Sequence, residues 1–362
     1  MFKKKPKYYT LDNILKKECT YNLIIGERSN GKTYSVKSYL LERYIKHREK
    51  FVIIRRYSTD ILANRSKSFF NDMTDNIKRL TSDTFDLMDY RTGYFYLAKY
   101  DETLDKNIKA SDWCGYVTSL TEYEHNKSTS FPDVKNILFD EFISRDYIRD
   151  EFIIFMNTLS TFIRNQTDVK IFMCGNTINP YCPYFEEMGL NHVRQMKQGT
   201  IDVYEYSNSL KLAIEYCGSL EKKESNKYFS FDNPKLSMIT SGAWEIDIYP
   251  HAPKFDKQDI LFIFFIVYHE SVLQCEIVQT DDIFIFIHRK TSEIYKPDNE
   301  IIYSLNRSDK PNHYQGLNTH DKSKINQKIL SLIKAKKLYY SDNYTGEIFR
   351  NFFEDSFKLS NV

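Results

Sequence analysis

Glycine is scarce in this chain, at 11 of 362 positions, and tryptophan scarcer still at 2. Glycine-rich linkers, collagen-like repeats and low-complexity tracts are thereby excluded, so any glycines that fall close together carry information. Charge of one sign is also missing. Lys+Arg 51 against Asp+Glu 49 leaves a formal net charge of +2, which excludes both a uniformly basic nucleic-acid coat and an acidic tail. The longest apolar run, Ile260 to Tyr268, falls far short of the ~20 residues that span a bilayer. The basic start Lys3-Lys4-Lys5-Pro6-Lys7 precedes no signal-peptide core and reads as a solvated terminus, so a soluble, intracellular protein without membrane contact is expected. Six cysteines form no CxxC pair, and neither Cys174 nor Cys182 has a histidine at zinc-ligand spacing; reduced, buried thiols are expected.

What the chain has in abundance is aromatic surface to bury: 26 Phe and 28 Tyr, enough for dense cores. At roughly 100–200 residues per domain the length predicts two domains. Tyr21–Ile25 reads as a strand, Gly26–Thr33 as a loop, and Tyr34–Glu49 as a helix, with Val36, Leu40 and Tyr44 at helical spacing. Phe51–Arg55, Val134–Phe139 and Val169–Cys174 are further apolar strands, with a helical stretch at Ile148–Arg164. Strands alternating with helices predict a mainly parallel α/β sheet between helices. Later, Ile260–Tyr268, Val272–Val278 and Ile283–His288 follow one another closely, an antiparallel meander, before a helix at Ile325–Leu338 and an aromatic tail. The expected division is residues 1–206 as an α/β nucleotide-binding domain, 207–226 as a linker and 227–362 as a smaller α+β domain.

Gly26-Glu27-Arg28-Ser29-Asn30-Gly31-Lys32-Thr33 matches GxxxxGK[ST] between a strand and a helix, the context that motif requires. Glycines let the backbone wrap a phosphate, the N–H groups of the loop and helix start bind its charge, Lys32 reaches the β/γ oxygens and Thr33 helps hold Mg²⁺. ATP and Mg²⁺ are the implied cofactors. Hydrolysis needs a second carboxylate site, and Asn136-Ile137-Leu138-Phe139-Asp140-Glu141 supplies an apolar strand ending in two acids. Asp140 suits Mg²⁺ and Glu141 suits the attacking water. The adjacent glutamate favours a hydrolase of the additional-strand catalytic-glutamate class over a kinase. Asn176, at a strand end beside the P-loop strand, is a candidate γ-phosphate sensor or an ordinary turn residue. Arg164, near a helix end, is either a finger for a neighbour's ATP or a helix-dipole partner. Arg28 is a rival finger in cis, while Arg55 and Arg56 could approach phosphate or be structural.

At these residues the sequence resembles the DNA-encapsidation ATPases of phi29-type tailed bacteriophages, relatives of the large terminases. The likeness runs through Ile25–Tyr34, Arg55-Arg56-Tyr57, Lys127-Ser128, Phe131-Pro132-Asp133-Val134, Phe139–Ile143, Phe162-Ile163-Arg164-Asn165 and Asn179-Pro180-Tyr181, covering most of residues 10–190. The resemblance implies an ATP hydrolase that assembles as a ring, usually a pentamer, on the portal of a procapsid and drives double-stranded DNA inside. It implies the bacterial host cytoplasm, transient residence on the procapsid and absence from the mature virion, and leaves open a packaging RNA. By resemblance Arg164 matches a trans-acting arginine finger, and Lys127 a basic position on a pore loop that touches DNA. It also implies a C-terminal domain like a ribonuclease H-type nuclease that has lost its activity; Leu261–Tyr268 contains no acid where a working nuclease needs one. Two alternatives remain at this point: a large terminase with a live nuclease, and a nucleotide-dependent assembly switch. The lysines at 322, 324, 328, 334, 336 and 337 read as a solvated helix face or as a DNA or portal contact.

Overall fold

A computed structural model describes residues 8–110, 112–122, 131, 133–144, 147–148, 150–164, 166, 168–180, 182–218, 244, 249–252, 254–294, 299–317 and 323–360. Lys127, Lys322 and the basic terminus at Lys3, Lys4, Lys5 and Lys7 lie outside them. The chain divides into two units, Met1–Glu245 and Ile246–Val362.

Among the described residues the first unit holds ten strands: β1 (Tyr21–Gly26), β2 (Lys50–Arg55), β3 (Leu87–Arg91), β4 (Tyr94–Asp101), β5 (Lys106–Lys109), β6 (Gly115–Ser119), β7 (Val134–Asp140), β8 (Lys170–Asn176), β9 (Thr200–Glu205) and β10 (Lys211–Tyr216). They form one sheet in the order β3-β4-β6-β2-β7-β8-β1-β10-β9, with β5 on β4. From β6 to β10 every pairing is parallel, and antiparallel strands close both edges. Interior parallel strands are covered on both faces, which is why β1, β2, β7 and β8 are almost continuous apolar runs. Alternation divides their side chains between two cores. Leu23 and Ile25 join Phe139, Phe155 and Phe162 on one face, while Ile24 joins Val36, Leu40 and Tyr44 of helix Lys32–His47 on the other.

The topology confirms the additional-strand arrangement, because β8 lies between the P-loop strand β1 and the acid-tipped strand β7. The expected boundary at residue 206 and the linker 207–226 need correction. Lys211–Tyr216 is β10, paired in parallel with β1 from Tyr21↔Leu212 to Ile25↔Tyr216. Trp244 also packs in the first unit, against Phe185 and Tyr216. Glu215 made this stretch look polar, but its carboxylate accepts a hydrogen bond from the buried Tyr9 hydroxyl at 2.7 Å.

In the second unit β11 (Ile260–Tyr268), β12 (Ser271–Gln279) and β13 (Ile283–Arg289) form the expected meander. The short strands β14 (Ile302–Ser304), β15 (His313–Gln315) and β16 (Leu338–Tyr340) extend it in the order β15-β14-β11-β12-β13-β16. β14 runs parallel to β11, β15 to β14, and β16 to β13. The predicted helix over 325–338 is shorter, Lys324–Lys334. Lys336, at φ 56°, turns the chain out of the helix so that Leu338 can begin β16. The aromatic tail is helix Asn343–Ser360, held to β11 by Tyr268, whose hydroxyl donates to Asp355 at 2.7 Å. No helix among the described residues is long and apolar enough to cross a membrane.

Gly115 of β6 pairs with Phe51 of β2, and a methyl group there would meet the Phe51 ring at 2.1 Å. Gly115→Ala should cost the first unit about 1–3 kcal/mol by overpacking. Because both tryptophans, Trp113 and Trp244, belong to this unit, a urea titration followed by tryptophan fluorescence should show the loss as a lowered midpoint.

Candidate nucleotide and catalytic site

β1 ends at Gly26 and helix Lys32–His47 begins after Gly31. Gly31 sits at φ 93°, in the left-handed region, and a Cβ on Gly26 would stand 3.0 Å from the Cys217 Cβ, so both glycines are required by the backbone path. The helix starts without a side-chain cap and without an acid in its first turn. Asn30 Oδ1 takes up the Lys32 N–H at 3.2 Å, and the positive end of the helix dipole just beyond it suits an anion.

Lys32 is buried at 4% exposure, and its ammonium has four acceptors in reach. These are the carbonyls of Gly26 (3.3 Å) and Glu27 (2.6 Å), and the side-chain oxygens of Asn30 (3.1 Å) and Asn176 (3.2 Å). Burial pulls its pKa down, opposed in part by the nearby Asp140. The same loop that would wrap a phosphate therefore holds the lysine in place by its own carbonyls. Asn176 reaches this point because Gly26 of β1 is level with Asn176 of β8.

Thr33 Oγ1 donates to Asp140 Oδ1 at 2.9 Å, joining the helix start to the tip of β7. Arg55, at the end of β2, spreads its fork over both acids, with Nη1 at 2.7 Å from Asp140 Oδ2 and Nη2 at 2.8 Å from Glu141 Oε2. Burial pushes the Asp140 carboxyl up, and Arg55 and the Thr33 bond pull it back. Glu141 stands just beyond the strand at φ 60°, its side chain 57% exposed. A hydroxyl beside one carboxylate oxygen suits Mg²⁺, which takes one or two carboxylates and completes its shell with water and substrate phosphates. Among the described residues no cluster of three metal-ligating acids, histidines or cysteines exists, and a cation here would need the phosphates to complete its site.

Of the P-loop, Arg28, Ser29, Asn30, Gly31, Lys32 and Thr33 line one cavity of about 320 Å³, together with Asp140, Glu141 and Asn176. Gly26 and Glu27 contribute the carbonyls that hold Lys32. Ser29, Gly31 and Tyr34 also border a second cavity of about 710 Å³, whose walls include Tyr8, Tyr9, Leu11 and Tyr39. Its N-terminal wall is strapped to the P-loop: Tyr9 N–H donates to Asn30 O at 3.0 Å and Ser35 Oγ to Tyr9 O at 2.6 Å. Nothing in the motif pattern pointed to this strap, because Tyr9 precedes the P-loop strand and carries no motif of its own.

Arg164 is not in either cavity wall. It caps the C-terminus of helix Glu151–Ile163 at φ 27°, a backbone region unfavourable for a residue with a side chain. Arg56, next to Arg55, turns the other way into the core. It forks onto Glu151 (Nε to Oε2, 2.9 Å) and donates to the carbonyls of Glu141 (3.0 Å) and Phe142 (2.7 Å).

Comparison with known proteins follows this geometry. A family profile described as "Podovirus DNA encapsidation protein (Gp16)" matches residues 3–357. The DNA packaging proteins of Bacillus phages phi29 and PZA are each 28% identical over 182 residues, 49% of this chain and 49% of theirs. The match thus spans about half the length of these relatives. Among solved structures, the bacteriophage Phi-29 genome packaging motor assembly aligns over 97% of this chain and 99% of its own at TM-score 0.58 and 20% identity. The Phi-28 gp11 DNA packaging motor aligns over 98% and 97% at TM-score 0.50 and 17% identity. At these identities the structural likeness establishes the fold.

Two substitutions test the geometry. Lys32→Ala should lower any ATP turnover by about 10²–10³-fold or more, since a preorganised charge aimed at the phosphates is lost, read in a steady-state phosphate-release assay. Arg55→Ala removes the cation that pulls the Asp140 carboxyl down against its burial, so its pKa should rise further. The acid limb of the Mg²⁺-dependent rate should then move to higher pH; an unmoved limb would refute this role for Arg55.

Proposed function

The chain belongs to the podovirus DNA encapsidation protein family, and from that premise we propose that it is the ATP-hydrolysing subunit of a viral DNA-packaging motor. The observation that carries this reading is the 2.9 Å contact from Thr33 to Asp140. It joins a phosphate-binding loop to a strand tip whose next residue, Glu141, is a solvent-exposed carboxylate. In this reading the triphosphate lies in the smaller cavity, on the helix N-terminus and Lys32, and the base lies in the contiguous cavity beside Tyr8 and Tyr39. Thr33 and Asp140 would hold Mg²⁺, which supplies charge neutralisation for the transferring phosphoryl group. Glu141 orients and deprotonates water once Arg55 releases it, and Asn176, already bonded to Lys32, senses the γ-phosphate. Arg164 lies outside the wall of its own subunit's cavity, which favours action in trans on a neighbour in a homo-oligomeric ring, a pentamer in the reading by resemblance.

The substrate moved is double-stranded DNA, gripped through phosphates near Lys127 and passed through the portal of a procapsid in the bacterial host cytoplasm. A packaging RNA is compatible with this reading and not required by it. For the second unit we propose a nuclease-like domain without nuclease activity. The meander β13-β12-β11 continued by parallel β14 and β15 supports a ribonuclease H-type relation. The acid-free β11 favours lost activity.

Three outcomes are expected. DNA should stimulate ATP hydrolysis, with a stimulation that declines steeply with added salt; turnover indifferent to DNA would favour a nucleotide switch instead. Arg164→Ala subunits mixed with Glu141→Gln subunits should regain hydrolysis at shared interfaces, and complete failure to do so would remove the trans assignment. The full chain incubated with DNA and Mg²⁺ or Mn²⁺ should leave supercoiled plasmid intact.

A further inference from the structure

Arg56 and Glu151 form the most completely buried ion pair described in the first unit, with side chains 7% and 1% exposed, and the nucleotide chemistry does not use them. Their partners are specific. Arg56 grips Glu151 through Nε and Nη2, at 2.9 Å to Oε2 and 3.0 Å to Oε1, and donates through Nη1 and Nη2 to the carbonyls of Glu141 and Phe142. Glu151 in turn accepts from the Tyr184 hydroxyl and the Ile148 N–H, each at 2.8 Å. Burial works against the Arg56 charge, and the hydrogen bond and ion pair with Glu151 more than restore it.

The two ends of this pair belong to different functions. Arg56 holds the left-handed turn that presents Glu141, and that turn is fixed on its far side by Phe142 N–H donating to Cys174 O of β8 at 3.1 Å. Glu151 is the first residue of the helix that ends at Arg164. At ~1.5 Å per residue, that helix is a rod about 20 Å long. It lies against β7 with Phe155 on Phe139 at 5.0 Å between ring centres. A displacement of the Glu141 turn is therefore delivered to the foot of the rod through a bidentate, desolvated bond, and the rod's other end carries the guanidinium.

We infer that Arg56 and Glu151 are positioning residues that make the Glu141 turn and the Arg164 helix one mechanical piece. The state of a subunit's own catalytic carboxylate is then carried to the arginine it offers its neighbour. This inference rests on the trans action of Arg164 proposed above, and the test separates the two.

Wild-type full-length protein is assembled with an excess of silenced subunits of three kinds: Glu141→Gln, Glu141→Gln with Arg164→Ala, and Glu141→Gln with Glu151→Gln. Hydrolysis by the wild-type minority then depends on arginines donated by silenced neighbours. Glu151→Gln keeps the side-chain volume and an acceptor for Tyr184 but removes the charge that Arg56 grips. The expected result is that the Glu151→Gln subunits, like the Arg164→Ala ones, depress the rate relative to Glu141→Gln alone. The fall should be on the order of 10²-fold, the cost of a ~1 Å misplacement. In homogeneous Glu151→Gln protein kcat should fall while affinity for a fluorescent ATP analogue changes less than about twofold, a split that general misfolding would not produce. A rate depressed by Arg164→Ala but not by Glu151→Gln overturns the coupling and spares the finger. A rate depressed by neither overturns the finger, and the coupling with it. If Glu151→Gln fails to fold by thermal melting, Arg56→Lys, which retains the buried charge and loses the fork, takes its place with the same expected and overturning results.

Discussion

The parallel register of three strands is the constraint on which the rest of the site depends. β7, β8 and β1 run side by side with Asp140 level with Cys174 and Gly26 level with Asn176. With strands spaced ~4.8 Å apart, the acid tip of β7 stands about 10 Å across the sheet from the phosphate loop, a span bridged by the start of the P-loop helix. Thr33 closes that gap onto Asp140, and Asn176, on the strand between, bonds Lys32. A slip of β8 by one residue would turn Asn176 to the opposite face. The strand inserted between β1 and β7 is thus what sets the width of the site and brings Asn176 to Lys32.

Around this register lies a set of buried charges, each compensated by a group from a different part of the chain. Lys32 rests on its own loop and β8, Asp140 on the P-loop helix and β2, and Arg56 on the Glu141 turn and helix Glu151–Ile163. Removing one member of a buried pair leaves a charge whose stranding costs about 3–5 kcal/mol. The geometry of the site is therefore linked to the folding of the sheet that brings these groups together.

The parallel core and the phosphate loop were legible because both follow local rules: apolar runs for doubly covered strands, and a glycine spacing in a chain poor in glycine. The edges were not. β5, Lys106-Asn107-Ile108-Lys109, is three-quarters polar and exposed on a sheet margin, so neither alternation nor hydrophobicity marks it. β10 carries Glu215, whose burial is tolerable only because Tyr9, far away in sequence, donates to it. The roles of Arg55 and Arg56 stayed open for the same reason: a strand-end arginine announces a charge but not the carboxylates that lie 85 and 95 positions further along the chain. Asp140, Glu141, Lys32 and Thr33 needed no such information, since strand and loop context alone place them together.

Arg55 and Arg56 are neighbours in sequence, yet one reaches the nucleotide-site carboxylates and the other the core, because β2 ends at Arg55 and the chain bends at Arg56. Either arginine can be judged alone by substitution, but their separation of roles depends on where the strand stops. One residue inserted into or deleted from β2 would move the bend off Arg56, so that neither the core's anchor nor the site's clamp would meet its carboxylates. Across related chains, the length of β2 should therefore be far less free to drift than the identity of its apolar residues.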